Sequence, residues 1–116
     1  MEGYDNLTND GGLKKKIITE GTGPLAQTGK KVWVNYIGTF ENGTEFDSSI
    51  KRNQPFTFDL GAGQVIKGWD LGVASMKQGE KAMFKIESNY AYGTRGAGNI
   101  IPANATLYFE VEFIKQ

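Results

Sequence analysis

The sequence contains neither cysteine nor histidine. Without cysteine, the chain has no disulfide bond, no thiolate nucleophile and no sulfur ligand for a metal ion. Without histidine, it lacks the side chain that most often acts in acid–base catalysis and most often binds a transition metal. These two absences argue against serine and cysteine hydrolases and against zinc enzymes. The sequence therefore favours no metal site, and carboxylate pairs, lysine chemistry or catalysis without ionisable groups remain.

An excess of one charge and a long apolar run are also lacking. The 13 basic and 13 acidic residues cancel, so the formal net charge is +0 at pH 7. No overall field would attract nucleic acid or a membrane surface. No stretch approaches the ~20 apolar residues of a membrane-spanning helix, and the polar N-terminus is unlike a signal peptide. We expect a monomer in the cytoplasm, with the nucleus as an alternative location.

The length of 116 residues suits one domain with a hydrophobic core. Residues 1–12 are polar and aperiodic, which predicts a flexible lead-in before a single domain over 13–116. Asn42-Gly43 indicates a hairpin turn, because these residues tolerate positive φ angles. Apolar and polar residues alternate with the period of half-buried β-strands over 32–37, 56–60, 81–86 and 107–113.

One segment has a helical period instead. Its apolar residues fall within an arc of about 100° on a helical wheel, the width of a core-facing stripe. Gly68 and Gly72 interrupt it, and each costs about 1 kcal/mol relative to alanine in a helix. We therefore expect burial against a sheet, with close backbone approach, to sustain this helix. Antiparallel strands with one short helix on one face predict an α+β domain. The apolar stripe consists of Val65, Ile66, Trp69, Val73 and Met76.

Aromatic and apolar side chains around the predicted helix are numerous enough to line a pocket with few polar groups. Such a pocket suits a reaction driven by desolvation and shape rather than by a nucleophile. These side chains belong to six segments, which are 34–38, 46–49, 52–56, 65–69, 90–93 and 100–102. In this order the six segments closely resemble the FKBP family of peptidyl-prolyl cis–trans isomerases, the immunophilins, over about residues 13–115.

The resemblance implies a fold, a reaction and a set of ligands. The implied fold is a half-open antiparallel β-sheet wrapped around the short helix, with the pocket between them. The implied activity is isomerisation of Xaa-Pro bonds in proteins, without a cofactor, inhibited by tacrolimus and rapamycin. The implied partners are proline-containing polypeptides and macrolide immunosuppressants, with chaperone or signalling proteins as further candidates.

Roles for individual apolar residues also follow from the resemblance. Trp69 would form the floor of the pocket, against which a prolyl ring packs. The walls would be Tyr36, Phe46, Phe56, Val65, Ile66, Tyr92 and Phe109. The implied catalytic set takes most of these and adds one carboxylate: Tyr36, Phe46, Asp47, Ile66, Trp69, Tyr92 and Phe109.

Polar groups have roles in the same resemblance. The backbone N–H of Ile66 and the hydroxyl of Tyr92 would hydrogen-bond to substrate carbonyls. Asp47 would lie at the rim, oriented by Arg52 and hydrogen-bonded by Tyr36. The implied substrate- and inhibitor-binding set is completed by one residue before the helix and two of a flap loop: Gln64, Ile100 and Ile101.

Each of these residues also has a plainer interpretation. Trp69 could be an ordinary core residue, and Tyr92 a packing residue with a solvent-facing hydroxyl. Asp47 could be a turn residue whose pairing with Arg52 is a surface ion pair worth about 0–1 kcal/mol. Two other functions therefore stay open. One is a module that docks proline-containing partners or a chaperone complex, with incidental catalysis; the other is a structural β domain.

The sequence departs from the family pattern mainly in the flap. Ala97, Gly98 and Asn99 stand where many members carry a histidine and a proline, and Ala103 replaces a further proline. Glycine adds backbone freedom. We therefore expect a smaller, more mobile flap tip.

Overall fold

Within residues 3–116, which the computed structural model describes, one antiparallel sheet packs against one α-helix. The helix α1 spans Lys67–Ala74, and a turn of 3₁₀-helix covers Ser88–Tyr90. In this part of the chain no helix is long and apolar enough to cross a membrane. The predicted α+β architecture is confirmed. Its strands are β1 (Asp5–Asn6), β2 (Leu13–Thr19), β3 (Lys31–Phe40), β4 (Glu45–Ser48), β5 (Phe56–Asp59), β6 (Lys81–Ile86) and β7 (Leu107–Lys115).

The sheet order is β1-β2-β6-β7-β3-β4. The remaining strand, β5, pairs with the same edge of β3 as β4 does. One half of β3 pairs with β5, as in the register Val34 to Phe56, and the other half pairs with β4, as in Ile37 to Ser48. Residues 49–55 leave the sheet between these two partners. As a result, β4, residues 49–55 and the start of β5 lie around one end of β3.

The predicted strand alternation is confirmed by burial. On β7 the side chains of Leu107, Phe109, Val111 and Phe113 are buried, while the residues between them are half-buried. The same pattern holds on β3 and β6. The hairpin at Asn42-Gly43 is confirmed too, because the Gly43 N–H donates to the Phe40 carbonyl at 2.9 Å and Gly43 has a φ of 88°.

The helix is shorter than its apolar stripe. Val65 and Ile66 precede α1, and Ile66 has a ψ of 150°, which directs the chain away from the helix axis. Met76 follows the helix and is fully buried all the same. Including Val65, Ile66 and Met76 in the helix was therefore wrong. Periodicity reports which side chains face the core, and here loop residues at both ends continue the same face.

The two glycines of α1 let the helix approach β6 closely, as predicted. A Cβ on Gly68 would lie 2.7 Å from Cγ2 of Ile86, and one on Gly72 would lie 2.9 Å from Cε1 of Phe84. Both distances are below normal contact, so each position has room only for hydrogen. This close packing compensates for the low helix propensity of glycine and brings Trp69 down onto the sheet.

The first residues of the chain contribute to the sheet. Strand β1 pairs with β2, and the Tyr90 hydroxyl donates to the Asp10 carboxylate at 2.9 Å. Hydrogen bonds from the Gly12 N–H, from Thr8 and from Tyr90 lower the pKa of Asp10 to about 2. Residues 1 and 2 of the predicted lead-in lie outside the described residues. The flexibility of this segment stays a prediction.

Candidate functional site

An apolar pocket of about 250 Å³ opens between the start of α1 and the end of the sheet where β3 meets β4 and β7. A second depression of about 280 Å³ shares Phe46, Asp47 and Tyr92 with it and continues to the flap. The second depression adds Ala97, Ile100 and Ile101. The lining of the first is Tyr36, Phe46, Asp47, Phe56, Gln64, Val65, Ile66, Trp69, Tyr92 and Phe109. The structure thus brings the sequence-predicted residues together, and Arg52, which is outside the lining, forms an ion pair with Asp47.

Trp69 lies at the centre of the aromatic cluster. Its ring meets those of Tyr36 and Phe109 edge-on, with centroids 4.9 Å and 5.2 Å apart, and it also contacts Phe56 and Phe58. Edge-to-face pairs of this kind are favoured by the aromatic quadrupole. Trp69 is 6% exposed, and among the described residues its indole N–H has no hydrogen-bond partner. The indole is therefore held by packing alone.

Phe46 and Phe109 form the wall opposite the helix. Their rings meet edge-on with centroids 5.6 Å apart. Gly38 of β3 lies directly beneath both rings, because a Cβ there would be 2.7 Å from Cζ of Phe46 and 2.8 Å from Cε1 of Phe109. A glycine inside a strand weakens it and indicates close approach of another group. Here that group is the aromatic wall.

Asp47 is held at the rim by two side-chain donors, and the Ser48 N–H donates to its Oδ1 at 2.8 Å as well. The Tyr36 hydroxyl donates to its Oδ2 at 2.5 Å, and the Arg52 guanidinium forms an ion pair with its Oδ1. Arg52 also donates to the Tyr36 hydroxyl at 2.8 Å. Burial on its own would raise the pKa of Asp47, but these hydrogen bonds outweigh it and lower the pKa below 3.8. Burial and the hydrogen bond to Asp47 raise the pKa of Tyr36 above 10.0.

Asp70 fixes the loop that leads into the helix. Its carboxylate accepts hydrogen bonds from the N–H groups of Gly61 and Gly63 at 2.9 Å and 3.1 Å. The Ile66 carbonyl accepts from the Trp69 N–H at 2.9 Å, whereas the Ile66 N–H has no acceptor among the described residues. The loop therefore presents this N–H beside the pocket. Sequence reasoning missed Asp70.

Gln64 lines the pocket with its amide already engaged. Its Oε1 accepts from the Asp59 N–H at 2.8 Å, and its Nε2 donates to the Asp59 carboxylate at 3.1 Å. The side chain therefore braces the loop against the end of β5. One amide N–H and one oxygen lone pair of Gln64 remain for a ligand.

Tyr92 and the flap close the far side. Tyr92 is 40% exposed, and its hydroxyl has no hydrogen-bond partner in the described part of the chain. Burial and then the charge of Asp47 raise the pKa of the Tyr92 hydroxyl above 10.0. The flap is a short hairpin in which the N–H groups of Ala97 and Ile101 bond to each other's carbonyls at 2.9 Å and 3.0 Å. Ile101 is buried and Ile100 is 62% exposed. Greater mobility of the tip stays a prediction.

Known proteins are similar to this chain over most of its length. Residues 23–114 match the family model of the FKBP-type peptidyl-prolyl cis-trans isomerase. The chain belongs to this family. FK506-binding protein 1 of Dictyostelium discoideum is 58% identical over 103 residues, which cover 89% of this chain and 96% of that protein. FK506-binding protein of Neisseria meningitidis serogroup B is 53% identical over 105 residues, covering 90% and 96%. The crystal structure of AtFKBP13 superposes with a TM-score of 0.91 at 36% identity, covering 97% and 98%.

The pocket of this FKBP-type isomerase contains little charge. The described residues contain no group of histidine, cysteine, aspartate or glutamate that could hold a metal ion. Among the pocket-lining side chains, Asp47 carries the single formal charge, and Arg52 balances it. The arrangement can therefore bind an apolar ring with its flanking carbonyls.

Replacing Gly38 by alanine in this FKBP-type domain is expected to impair catalysis more than stability explains. The new methyl would push both Phe46 and Phe109 out of position, and overpacking of this kind costs about 1–3 kcal/mol. Gly72→Ala is the matched control, since it overpacks Phe84 away from the pocket. Urea unfolding and kcat/KM for a short proline peptide would be measured for both. Equal activity loss at equal destabilisation in the two variants would contradict a special role for Gly38.

Proposed function

We propose that the apolar pocket is where this isomerase accelerates rotation about Xaa-Pro bonds, with the prolyl ring packed on Trp69. The observation that carries this proposal is the aromatic pocket itself, with its single ion pair confined to the rim. A five-membered apolar ring suits the floor and walls formed by Trp69, Phe46 and Phe109. The exposed side remains open for the chain on either side of the proline.

Amide resonance explains why such a pocket is catalytic. Rotation about a peptide bond crosses a barrier of ~18–20 kcal/mol because the C–N bond has partial double-bond character. For Xaa-Pro bonds the two isomers are close in energy yet exchange in tens to hundreds of seconds. The planar amide is more dipolar than the twisted one. A water-poor apolar pocket therefore favours the twisted state, and each ~1.4 kcal/mol of this preference raises the rate tenfold.

Polar groups at the pocket edge would orient the substrate. The free N–H of Ile66 and the hydroxyl of Tyr92 are the donors for carbonyls on either side of the rotating bond. Asp47, held by Tyr36 and Arg52, places a fixed negative charge at the rim. Such preorganised groups stabilise a transition state without reorganisation during the reaction.

Macrolides are the proposed inhibitors. The relatives from Dictyostelium discoideum and Neisseria meningitidis are named FK506-binding proteins, and FK506 is tacrolimus. We propose that tacrolimus and rapamycin occupy the same pocket and exclude proline-containing polypeptides from it. Chaperone or signalling proteins, a monomeric state and a cytoplasmic or nuclear location stay proposals that rest on the sequence.

A peptide assay tests the proposal. Isomerisation of a Leu-Pro-Phe peptide would be followed with a coupled protease, with and without tacrolimus. Fast turnover abolished by the drug is expected. Slow turnover with tight drug binding would favour a docking module over an enzyme. A protein that neither turns over the peptide nor binds the drug would overturn the assignment of the pocket.

A further inference from the structure

A larger groove lies beyond the flap, in addition to the pocket and the depression beside it. It has a volume of about 650 Å³, within the ~300–1,000 Å³ range of ligand sites. One side is the tip of the β3–β4 hairpin, and the other is the chain from the flap to β7. The lining consists of Phe40, Glu41, Asn42, Gly98, Asn99, Ile100, Ile101, Pro102, Asn104, Ala105 and Thr106.

The groove is continuous with the prolyl pocket. Ile100 and Ile101 line both the groove and the depression beside the pocket. A second connection runs through the aromatic wall, because Phe40 of the groove packs on Phe46 with centroids 4.8 Å apart. An apolar surface therefore leads from Trp69 across the wall and past the flap. A chain bound in the pocket can follow it without leaving the protein surface.

The polar lining suits a polypeptide backbone. Asn99 and Asn104 side chains have no hydrogen-bond partners among the described residues, and each amide can both donate and accept. An extended peptide presents one N–H and one carbonyl per residue. Glu41 is the one charged side chain among the lining residues, and it forms no ion pair in the described part of the chain. The groove is therefore complementary to an extended chain with a basic side chain.

We propose that this groove binds the part of the polypeptide substrate that continues away from the proline, and that Glu41 selects lysine or arginine there. The proposal rests on the proposed function, because the occupant is the chain whose proline lies in the pocket. Extended chain advances about 3.3 Å per residue, so the basic residue is separated from the proline by several residues.

The test uses proline peptides of two lengths. A short peptide reaches the pocket alone. Two series of longer peptides extend the short one, one series on the N-terminal side and the other on the C-terminal side. Within each series a single arginine is moved stepwise away from the proline. A matched peptide carries glutamate in place of each arginine. At one position in one series, the KM of the arginine peptide is expected to be about two- to fivefold lower than that of the matched glutamate peptide, as for an exposed ion pair. The gain should shrink at high salt, because such pairs are screened.

Variants separate the groove from the pocket. Glu41→Gln is expected to remove the arginine preference, and Glu41→Lys to transfer it to the glutamate peptides, with kcat/KM for the short peptide unchanged. Glu20→Gln, at an exposed acidic residue outside the groove, serves as the control and should retain the preference.

Failure of this proposal differs from failure of the proposed function. Normal turnover of the short peptide, with the same KM for arginine and glutamate peptides in both series, would overturn the groove proposal alone. Self-association of the unaltered protein that Glu41→Gln abolishes, with no change in any KM, would assign the groove to a second copy of the chain and also overturn the groove proposal. No turnover of the short peptide by the unaltered protein would overturn the proposed function instead.

Discussion

Replacing Trp69 by leucine is expected to lower kcat/KM for a short proline peptide about tenfold or more. Leucine keeps an apolar side chain and part of the volume but loses the flat surface on which the prolyl ring packs and the edge-on contacts with Tyr36 and Phe109. A tenfold loss corresponds to about 1.4 kcal/mol, within the range of one or two aromatic contacts at about 0.5–1.5 kcal/mol each. Steady-state kinetics would measure the loss, and circular dichroism would verify the fold.

The second tryptophan offers a matched control. Trp33 lies half-buried on β3, with the Lys115 ammonium 4.8 Å from its ring centroid, and it does not line the pocket. Trp33→Leu should therefore leave kcat/KM within about twofold of the unaltered protein. Trp69→Ala is expected to reduce the free energy of unfolding by about 3–5 kcal/mol, so the leucine variant is the better probe of function. Unchanged activity in folded Trp69→Leu would contradict the role of Trp69 as the pocket floor.

Replacing Asp47 by alanine is expected to lower kcat/KM by about tenfold or more, with a smaller effect on stability. Its carboxylate accepts from the Tyr36 hydroxyl and pairs with Arg52. Hydrogen bonds to charged groups contribute about 1.5–3 kcal/mol, but the rim is partly exposed, so the global unfolding free energy should change less. Peptide kinetics and urea unfolding would measure the two effects separately.

Tyr36→Phe and the double variant distinguish a network from independent contacts. Tyr36→Phe removes the hydroxyl but keeps the ring against Trp69. If Asp47 and Tyr36 act as one unit, the double variant should lose little more than Asp47→Ala alone. Glu45→Ala is the control, since Glu45 lies on the same strand and pairs with Lys51 at 2.6 Å outside the pocket. Multiplicative losses in the double variant, or an equal loss in Glu45→Ala, would contradict the network.

The sequence was sufficient to predict the strands whose side chains alternate between core and solvent. On β7 the odd-numbered residues from Leu107 to Phe113 are buried as expected. The close approach of α1 was predictable too, because Gly68 and Gly72 have no local reason to lie in a helix. The limits of α1 were not predictable from periodicity. Ile66 leaves the helical conformation, and its side chain still faces the interior.

Residues whose role depends on contacts between distant segments of the chain were harder to predict from the sequence. Gly38 interrupts an otherwise regular strand, and that signal alone could have suggested a close contact. Its partners, Phe46 and Phe109, come from β4 and β7, and no local pattern brings them together. Asp70 gave no signal, because an acidic residue in the first turn of a helix is common. The groove beyond the flap likewise depends on β3 and the flap meeting in space.

The pH profile of kcat/KM for the short peptide tests the central claim, catalysis by an apolar pocket without proton transfer, most directly. Exchange between the cis and trans forms of the peptide would be followed by NMR, which needs no coupled protease. Asp47 has a pKa below 3.8, whereas Tyr36 and Tyr92 have pKa values above 10.0. Asp47 therefore stays ionised and both tyrosines stay protonated from about pH 5 to pH 9, and a flat profile is predicted over that range. A bell-shaped or sigmoidal profile there would show a titrating acid or base and would contradict the account.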